Sequence, residues 1–305
     1  MTTHGRLRST GSDARHEPVL LAEVVSALAP RADGVYVDCT LGFGGHTAAL
    51  LEAGAGRVIG IDRDAQALAE AGERLGAQEG RLELVHADYR ELPALLQARG
   101  VGTVDGILAD FGVSSMQLDD ASRGFSFRQS GPLDMRMDRS RGEPLAVKLA
   151  AVDETTLADV IFRYGEERQA RRVARAVIAA RDRGELDSTT ALASAVRRGA
   201  GGRGWQRIDP ATRTFQALRI WVNEELEGLE SFVGDAVTAL GRGGRLAIIA
   251  FHSLEDRVVK HTMRRLAAEG RVTLVSRRPI VPGDDEVMRN ARARSARLRV
   301  VEKVA

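Results

Sequence analysis

The chain has 305 residues, 44% hydrophobic and 28% charged, which fits a soluble globular protein of two domains or one domain carrying a large insertion. A single cysteine, Cys39, excludes an internal disulfide and a cysteine-based zinc cage. No apolar run reaches membrane-spanning length, and the polar N-terminus lacks the apolar segment of a secretory signal. Net charge is only +2, yet 41 of the 44 basic residues are arginine. Arginine's planar fork suits phosphates and base edges, but a GC-rich coding bias explains the same total. Clusters therefore carry more information than the count. A reducing, cytoplasmic setting is expected.

Residues 1–15 lack periodicity and read as a disordered arm. From Val35 a strand–helix alternation begins. Val35–Asp38 predicts a strand, and a glycine-rich turn and a helix over Thr47–Glu52 follow it. Val58–Ile61 predicts a second strand ending at Asp62, with a helix over Ala65–Leu75 behind it. Leu82–His86 and Gly106–Ala109 predict two more, ending at Asp88-Tyr89 and Asp110. Acids just past four strand ends describe an open parallel sheet, which takes ligands outside those ends. The next buried strand, Leu246–Phe251, is too distant for a simple crossover. A helix over Thr212–Leu240 should precede it, and strands at Val272–Val275 and Leu298–Val301 should close the sheet. The domains expected are 16–134 with 210–305 for the sheet, and 135–209 for an inserted all-helical domain. A glycine-rich loop, Gly199–Gly204, lies near the exit of that insertion.

The turn Asp38-Cys-Thr-Leu-Gly42-Phe-Gly44-Gly45-His46 follows a strand and opens a helix. Gly42 permits the tight turn, and Gly44 and Gly45 would let a ligand approach the backbone. Asp62, at the end of the next strand, is placed to accept ribose hydroxyls. Glycines that merely pack helix on sheet are the plainer alternative. A dinucleotide fingerprint would carry a third glycine where Thr47 stands. Asp88-Tyr89 offers a polar group and a ring beside an adenine, as in S-adenosylmethionine sites, although Tyr89 alone reads equally as a surface aromatic.

Several longer words then converge. They include His16-Glu-Pro-Val-Leu-Leu21, Gly42-Phe-Gly-Gly-His-Thr47, Asp110-Phe-Gly-Val-Ser-Ser-Met-Gln117 and Arg123-Gly-Phe-Ser-Phe127. Gly131-Pro-Leu-Asp-Met-Arg-Met-Asp138, Tyr164-Gly-Glu-Glu-Arg168, Thr212 to Asn223, Phe251-His-Ser-Leu-Glu-Asp-Arg257 and Arg292-Ala-Arg-Ser295 follow. Together they resemble the MraW family of ribosomal RNA methyltransferases, from about His16 to the C-terminus. The resemblance implies a Rossmann-like class I S-adenosylmethionine-dependent sheet and N4 methylation of a cytidine in the decoding centre (P site) of 16S rRNA. Its implied partner is 16S rRNA within the assembled small ribosomal subunit. No membrane or metal is implied, and the oligomeric state, a homodimer included, stays open. Cofactor contacts implied are Gly44, Gly45, His46, Asp62, Tyr89, Asp110 and Gln117.

Asp110 also bears on catalysis, because an acceptor facing cytosine's amine would stabilise positive charge as it builds there; a turn-capping acid is the alternative. His252, beside Glu255 and Asp256, is a second catalytic candidate as a base, or else a hydrogen-bonded structural group. The Asp-Pro-Pro-Tyr of many amino-methyltransferases is Asp110-Phe-Gly-Val here, leaving Phe111, Phe125 and Phe127 as candidates to stack on the base. Cys39 stands where the family usually has glycine, and Ala291 where it commonly has proline; the stretch from Met263 to Pro279 is shorter than in some relatives.

Between Arg163 and Arg183 seven arginines face three acids, and from Arg271 onward nine basic residues face four acidic ones. Either stretch could meet phosphates or be a solvated face. Two other functions compete with the methyltransferase. An NAD-dependent oxidoreductase lacks its third glycine and a hydride-transfer constellation, and a silent RNA-binding assembly protein would leave Asp62 and Asp110 idle.

Overall fold

The computed structural model describes residues 18–76, 78, 80–201 and 209–304. The expected N-terminal arm, His16 of the first motif and the loop around Arg203 lie outside them. The chain divides into two compact units, 1–112 with 230–305, and 113–229.

The first unit is a seven-stranded sheet with helices. In chain order it holds α1 (Leu21–Leu28), β1 (Val35–Asp38), α2 (Gly45–Glu52), β2 (Arg57–Asp62), α3 (Ala65–Leu75) and β3 (Leu82–His86). Then come α4 (Leu92–Ala98) and β4 (Val104–Asp110). After the second unit it resumes with α11 (Leu229–Ala239), β5 (Leu240–Ala250), α12 (Ser253–Ala268), β6 (Val272–Leu274), α13 (Asp284–Arg289) and β7 (Arg297–Lys303). The strand order is β3-β2-β1-β4-β5-β7-β6. The first five strands are parallel, and β7 runs antiparallel to both of its neighbours. From β1 the chain winds outward to β3, then crosses back to place β4 on the other side of β1. That reversal opens a crevice at the carboxyl ends of β1 and β4.

The strands read as apolar because they are covered on both faces: Val37, Ile59, Ile61, Ile107, Leu108, Leu246 and Ile248 are all buried. Local signals also agree with the elements. Asp64 caps α3 by accepting from Gln66 N at 3.1 Å. The pattern places the strand centres but trims their ends; β5, expected from Leu246, begins at Leu240.

The second unit is helical: α5 (Ser115–Asp119), α6 (Leu145–Ala151), α7 (Glu154–Gly165), α8 (Ala170–Asp182), α9 (Thr189–Ala200) and α10 (Pro210–Asn223). Its core is made by Leu157, Ile161, Val173, Leu192, Phe215 and Leu218. Gly199 lies inside α9, where a Cβ would meet the Val173 backbone at 2.7 Å, so it is a close-packing glycine rather than a loop residue. The unit is wider than the 135–209 expected from pattern. Leu133, Met135 and Met137 are buried in its core, and Asn223 pins their loop. The Asn223 amide donates to Met135 O, and Met137 N donates to Asn223 Oδ1, both at 2.7 Å.

The single helix expected over Thr212–Leu240 is two. Glu224 takes a left-handed conformation, φ 51°, and closes α10 with its N–H on Ile220 O. A turn with Gly228 at φ 69° leads into α11. Apolar spacing continues across that break, which is why periodicity alone conceals it.

Candidate active site

The acids expected at the strand ends cap the carboxyl edge of the sheet, where β1 and β4 part. Asp38, last in β1, is buried; its Oδ2 accepts from Thr47 Oγ1 at 2.8 Å and its Oδ1 from Thr40 N at 3.2 Å. Thr40 in turn accepts Asp110 N on its hydroxyl at 2.6 Å. One threonine thus links the tips of the two strands that flank the crevice. Burial raises the Asp38 carboxyl to about 6, against the pull of His46 and its two donors. Its neighbour Cys39 is buried, and burial next to Asp38 pushes the thiol well above its ordinary value. That leaves the thiol inert to redox chemistry.

His46, in the first turn of α2, has a side chain only 7% exposed, with Nε2 at 3.5 Å from Asp110 Oδ2. The approach lacks hydrogen-bond geometry. Both ring nitrogens of His46, and Oδ1 of Asp110, are buried without a hydrogen-bond partner among the described residues. Buried polar atoms in this condition are costly unless something pairs with them. The start of α2 is open too: Gly44 is its N-cap, and no side chain caps the first N–H groups.

Gly44 has φ 72°, and a Cβ there would lie 2.6 Å from Leu75 Cδ1; at Gly45 it would lie 2.3 Å from Pro18 Cγ. Contacts with the protein's own side chains therefore account for glycine at both positions. This is the plainer of the two uses open to them in sequence, and it leaves their backbone N–H groups at the start of α2.

Asp62, ending β2, binds the glycine turn directly. Its Oδ2 accepts Gly42 N at 2.7 Å and its Oδ1 accepts Asp64 N at 2.8 Å. Burial raises its pKa, opposed by those two N–H groups. Two carboxylate oxygens offer about four acceptor sites, so two remain for hydroxyls. Asp88, past β3, would be raised by burial, but the fork of Arg90 and the Arg90 N–H bring it below the usual carboxylate range. Tyr89 is buried in a ring cluster, 4.7 Å from Phe232 and 5.4 Å from Phe111 between centroids. It is a core aromatic at the strand edge, not a surface one.

Gln117 belongs to the helical unit. It is buried and forms a capping box with Ser114: Ser114 N donates to its Oε1 at 3.0 Å, and its own N donates to Ser114 Oγ. Of the stacking candidates, Phe111 is held by Tyr89 and Phe232. Phe125 is buried in the helical core, and Phe127 packs edge-on to Phe215 at 4.8 Å.

His252 is the N-cap of α12. Its Nδ1 accepts Glu255 N at 3.3 Å, while Glu255 Oε2 accepts Phe251 N and His252 N, a reciprocal capping box. Its Nε2 lies 3.1 Å from Glu255 Oε1, yet it is buried without a hydrogen-bond partner among the described residues. The cap occupies Nδ1, and Nε2 remains the atom that a base role would use. Sequence reasoning did not single out Thr40, Thr47 or Phe232. A hydroxyl two residues past a strand end was the available signal for Thr40.

A sheet parallel but for β7, whose order reverses between β1 and β4, with acids at the tips and an open helix start between them, defines a Rossmann-like methyltransferase. The model of the MraW methylase family matches residues 13–304. The chain belongs to the MraW methylase family, and its methyl donor is S-adenosylmethionine. It is 53% identical to the Ribosomal RNA small subunit methyltransferase H of Sorangium cellulosum, over 95% of this chain and 91% of that one. It is 49% identical to the protein of that name from Rhodopseudomonas palustris (strain ATCC BAA-98 / CGA009), over 96% and 92%. Among solved structures, an rRNA methylase from Streptococcus thermophilus aligns over 94% of this chain and 93% of its own, at 14% identity and a TM-score of 0.41.

The residues at the crevice fit that donor. An uncapped helix start suits its carboxylate, Asp62 has acceptor capacity for ribose hydroxyls, and the orphaned atoms of His46 and Asp110 leave polar capacity beside them.

Proposed function

We propose that the chain methylates the exocyclic N4 amine of a cytidine in the decoding centre (P site) of 16S rRNA, in the assembled small ribosomal subunit and in the cytoplasm. The observation that carries this reading is Asp110: a carboxylate at the tip of β4, beside the sheet's reversal point, with one buried oxygen lacking a partner among the described residues. The names of the relatives at about 50% identity support the substrate.

Cytosine's amine is a poor nucleophile because its lone pair is delocalised into the ring. The bound sulfonium supplies an electrophilic methyl group. The protein's task is alignment and charge stabilisation. Asp62 holds the ribose, and the first N–H groups of α2, from Gly45 and His46, hold the amino-acid end. Asp110 faces the amine's hydrogens and stabilises the positive charge that grows there. His46, beside it, shares the proton released. Tyr89 backs the adenine edge, and Gln117 is a further cofactor contact from the helical unit. That unit meets RNA phosphates with the exposed face of α8, where Arg171, Arg172 and Arg175 stand together.

Nucleoside mass mapping of 16S rRNA from cells with and without the gene tests the reading. Loss of N4-methylcytidine from the decoding centre is expected. A loss at another base, or none, overturns it.

A further inference from the structure

Far along α12 from the crevice, the sheet unit carries a second polar feature that the methyl-transfer reading does not use. α12 packs on β6 and β7, and beside them lies a shallow surface pocket. Its floor is apolar, from Met263 and Val300, and its rim is cationic: Lys260, Arg264, Arg277 and Arg299 all line it. Among the described residues no carboxylate lines it. Arg299 is paired, its Nε donating to Asp256 Oδ1 at 2.6 Å, and Asp256 is shared with Arg297 at 2.9 Å. Lys260, Arg264 and Arg277 have no ion pair or hydrogen bond among the described residues. Ser276 also lines the pocket, but its hydroxyl already donates to Arg278 O at 2.6 Å. Charge, not a hydroxyl, gives the site its character.

Three unpaired cations around one concavity repel each other, and an anion seated between them removes that cost. Two of the three are arginines, whose planar forks bind phosphate oxygens bidentately. The third, Lys260, is a point charge on the same rim. Lys260 and Arg264 stand seven and eleven residues after the start of α12, roughly 10–16 Å along its axis. A polyanion engaged at the crevice could reach that distance, whereas the donor molecule could not.

We infer that this pocket binds a backbone phosphate of the RNA substrate, as an anchor remote from the reacting base. The inference rests on RNA being the substrate.

The test uses the full chain and small-subunit RNA, with affinity measured across a salt series. Replacing Lys260, Arg264 and Arg277 by Gln together (K260Q, R264Q, R277Q) should make the slope of log affinity against log salt shallower by about 0.7–0.9, the share of one phosphate. S-adenosylmethionine affinity and melting temperature should stay as in the parent. The charge-keeping exchange K260R, R264K, R277K should retain the slope. An unchanged slope in the Gln variant, while the parent binds and methylates RNA, overturns this site alone. A parent that binds no RNA overturns the substrate reading, and the anchor with it. A second arm titrates inorganic phosphate by calorimetry. Saturable phosphate binding lost in the Gln variant, with RNA affinity unmoved, assigns the pocket to a free anion and overturns the RNA anchor. Altered binding of poly-glutamate alone assigns it to an acidic polypeptide and overturns the RNA anchor as well.

Discussion

The hydroxyl of Thr47 donates to Asp38 Oδ2 at 2.8 Å from the position where a dinucleotide fingerprint carries its third glycine. A glycine there would leave the buried carboxylate with only the Thr40 N–H. The departure from the dinucleotide spacing is therefore a hydrogen-bonding requirement of β1, not a loosened version of the same motif.

Asp38 makes folding pH-dependent. With its pKa raised to about 6 by burial, the folded protein keeps a proton that the unfolded chain releases near 3.8. The stabilisation is complete below pH 3.8 and is lost as pH rises through 6. Asp38→Asn cannot ionise, so the parent should lose roughly 3 kcal/mol relative to it across that window. Urea denaturation at pH 4, 5, 6 and 7 reads the difference, and a difference independent of pH would mean an ordinary carboxyl.

Asp62 has two duties that one variant exposes together. Asp62→Ala should weaken S-adenosylmethionine binding by about 1.5–3 kcal/mol through loss of a charge-assisted bond. It should also lower the melting temperature, because Gly42 N and Asp64 N lose their acceptor. Calorimetry on the folded variant decides: an unchanged dissociation constant confines Asp62 to holding the turn.

Asp110→Asn keeps the shape and removes the charge. Methyl transfer should fall by more than cofactor affinity, since the charge matters most as the amine becomes cationic. Comparable losses in single-turnover rate and in dissociation constant would make Asp110 a cofactor ligand only.

For His252, the cap and the base predict different numbers. As an N-cap, His252→Ala should cost about 1 kcal/mol of stability and leave the transfer rate within a few-fold of the parent. A general base would cost about 10²–10⁴ in rate. Rates measured well below the variant's melting temperature separate the two.

On α8 the buried stripe Ala170, Val173, Ala174, Val177 and Ala180 leaves Arg171, Arg172 and Arg175 exposed. Arg175 reaches Glu154 at 3.3 Å; Arg171 and Arg172 have no ion pair among the described residues. Neutralising all three should weaken RNA binding and flatten its salt dependence, with cofactor affinity intact. Survival of affinity and slope reduces α8 to a solvated face.

Much of the sheet was legible because buried parallel strands are short apolar runs with acids at their ends, as at Val35–Asp38 and Val104–Asp110. Boundaries fixed by single backbone conformations were not. The left-handed Glu224 that splits α10 from α11 leaves no mark in apolar spacing. Neither did the loop around Met135 announce its unit, since the amide that pins it, Asn223, is 88 residues away. At the site, residue types revealed Asp62 and Asp110, but the orphaned nitrogens of His46 depend on what lies around the ring. His252 shows the converse: a His three residues before a Glu at a helix start was readable as a cap.

The order of the strands also sets a schedule for synthesis. β4 pairs with β1 on one side and β5 on the other, yet the whole helical unit is translated between Asp110 and Leu240. At about 5–20 residues per second, the β4 edge emerges on the order of ten seconds before its second partner. β5 then waits in turn for β7, which is made after β6 but lies between the two. The nascent chain thus carries an open apolar strand edge twice during its production, and both intervals are moments when a chaperone would shield it from neighbouring chains.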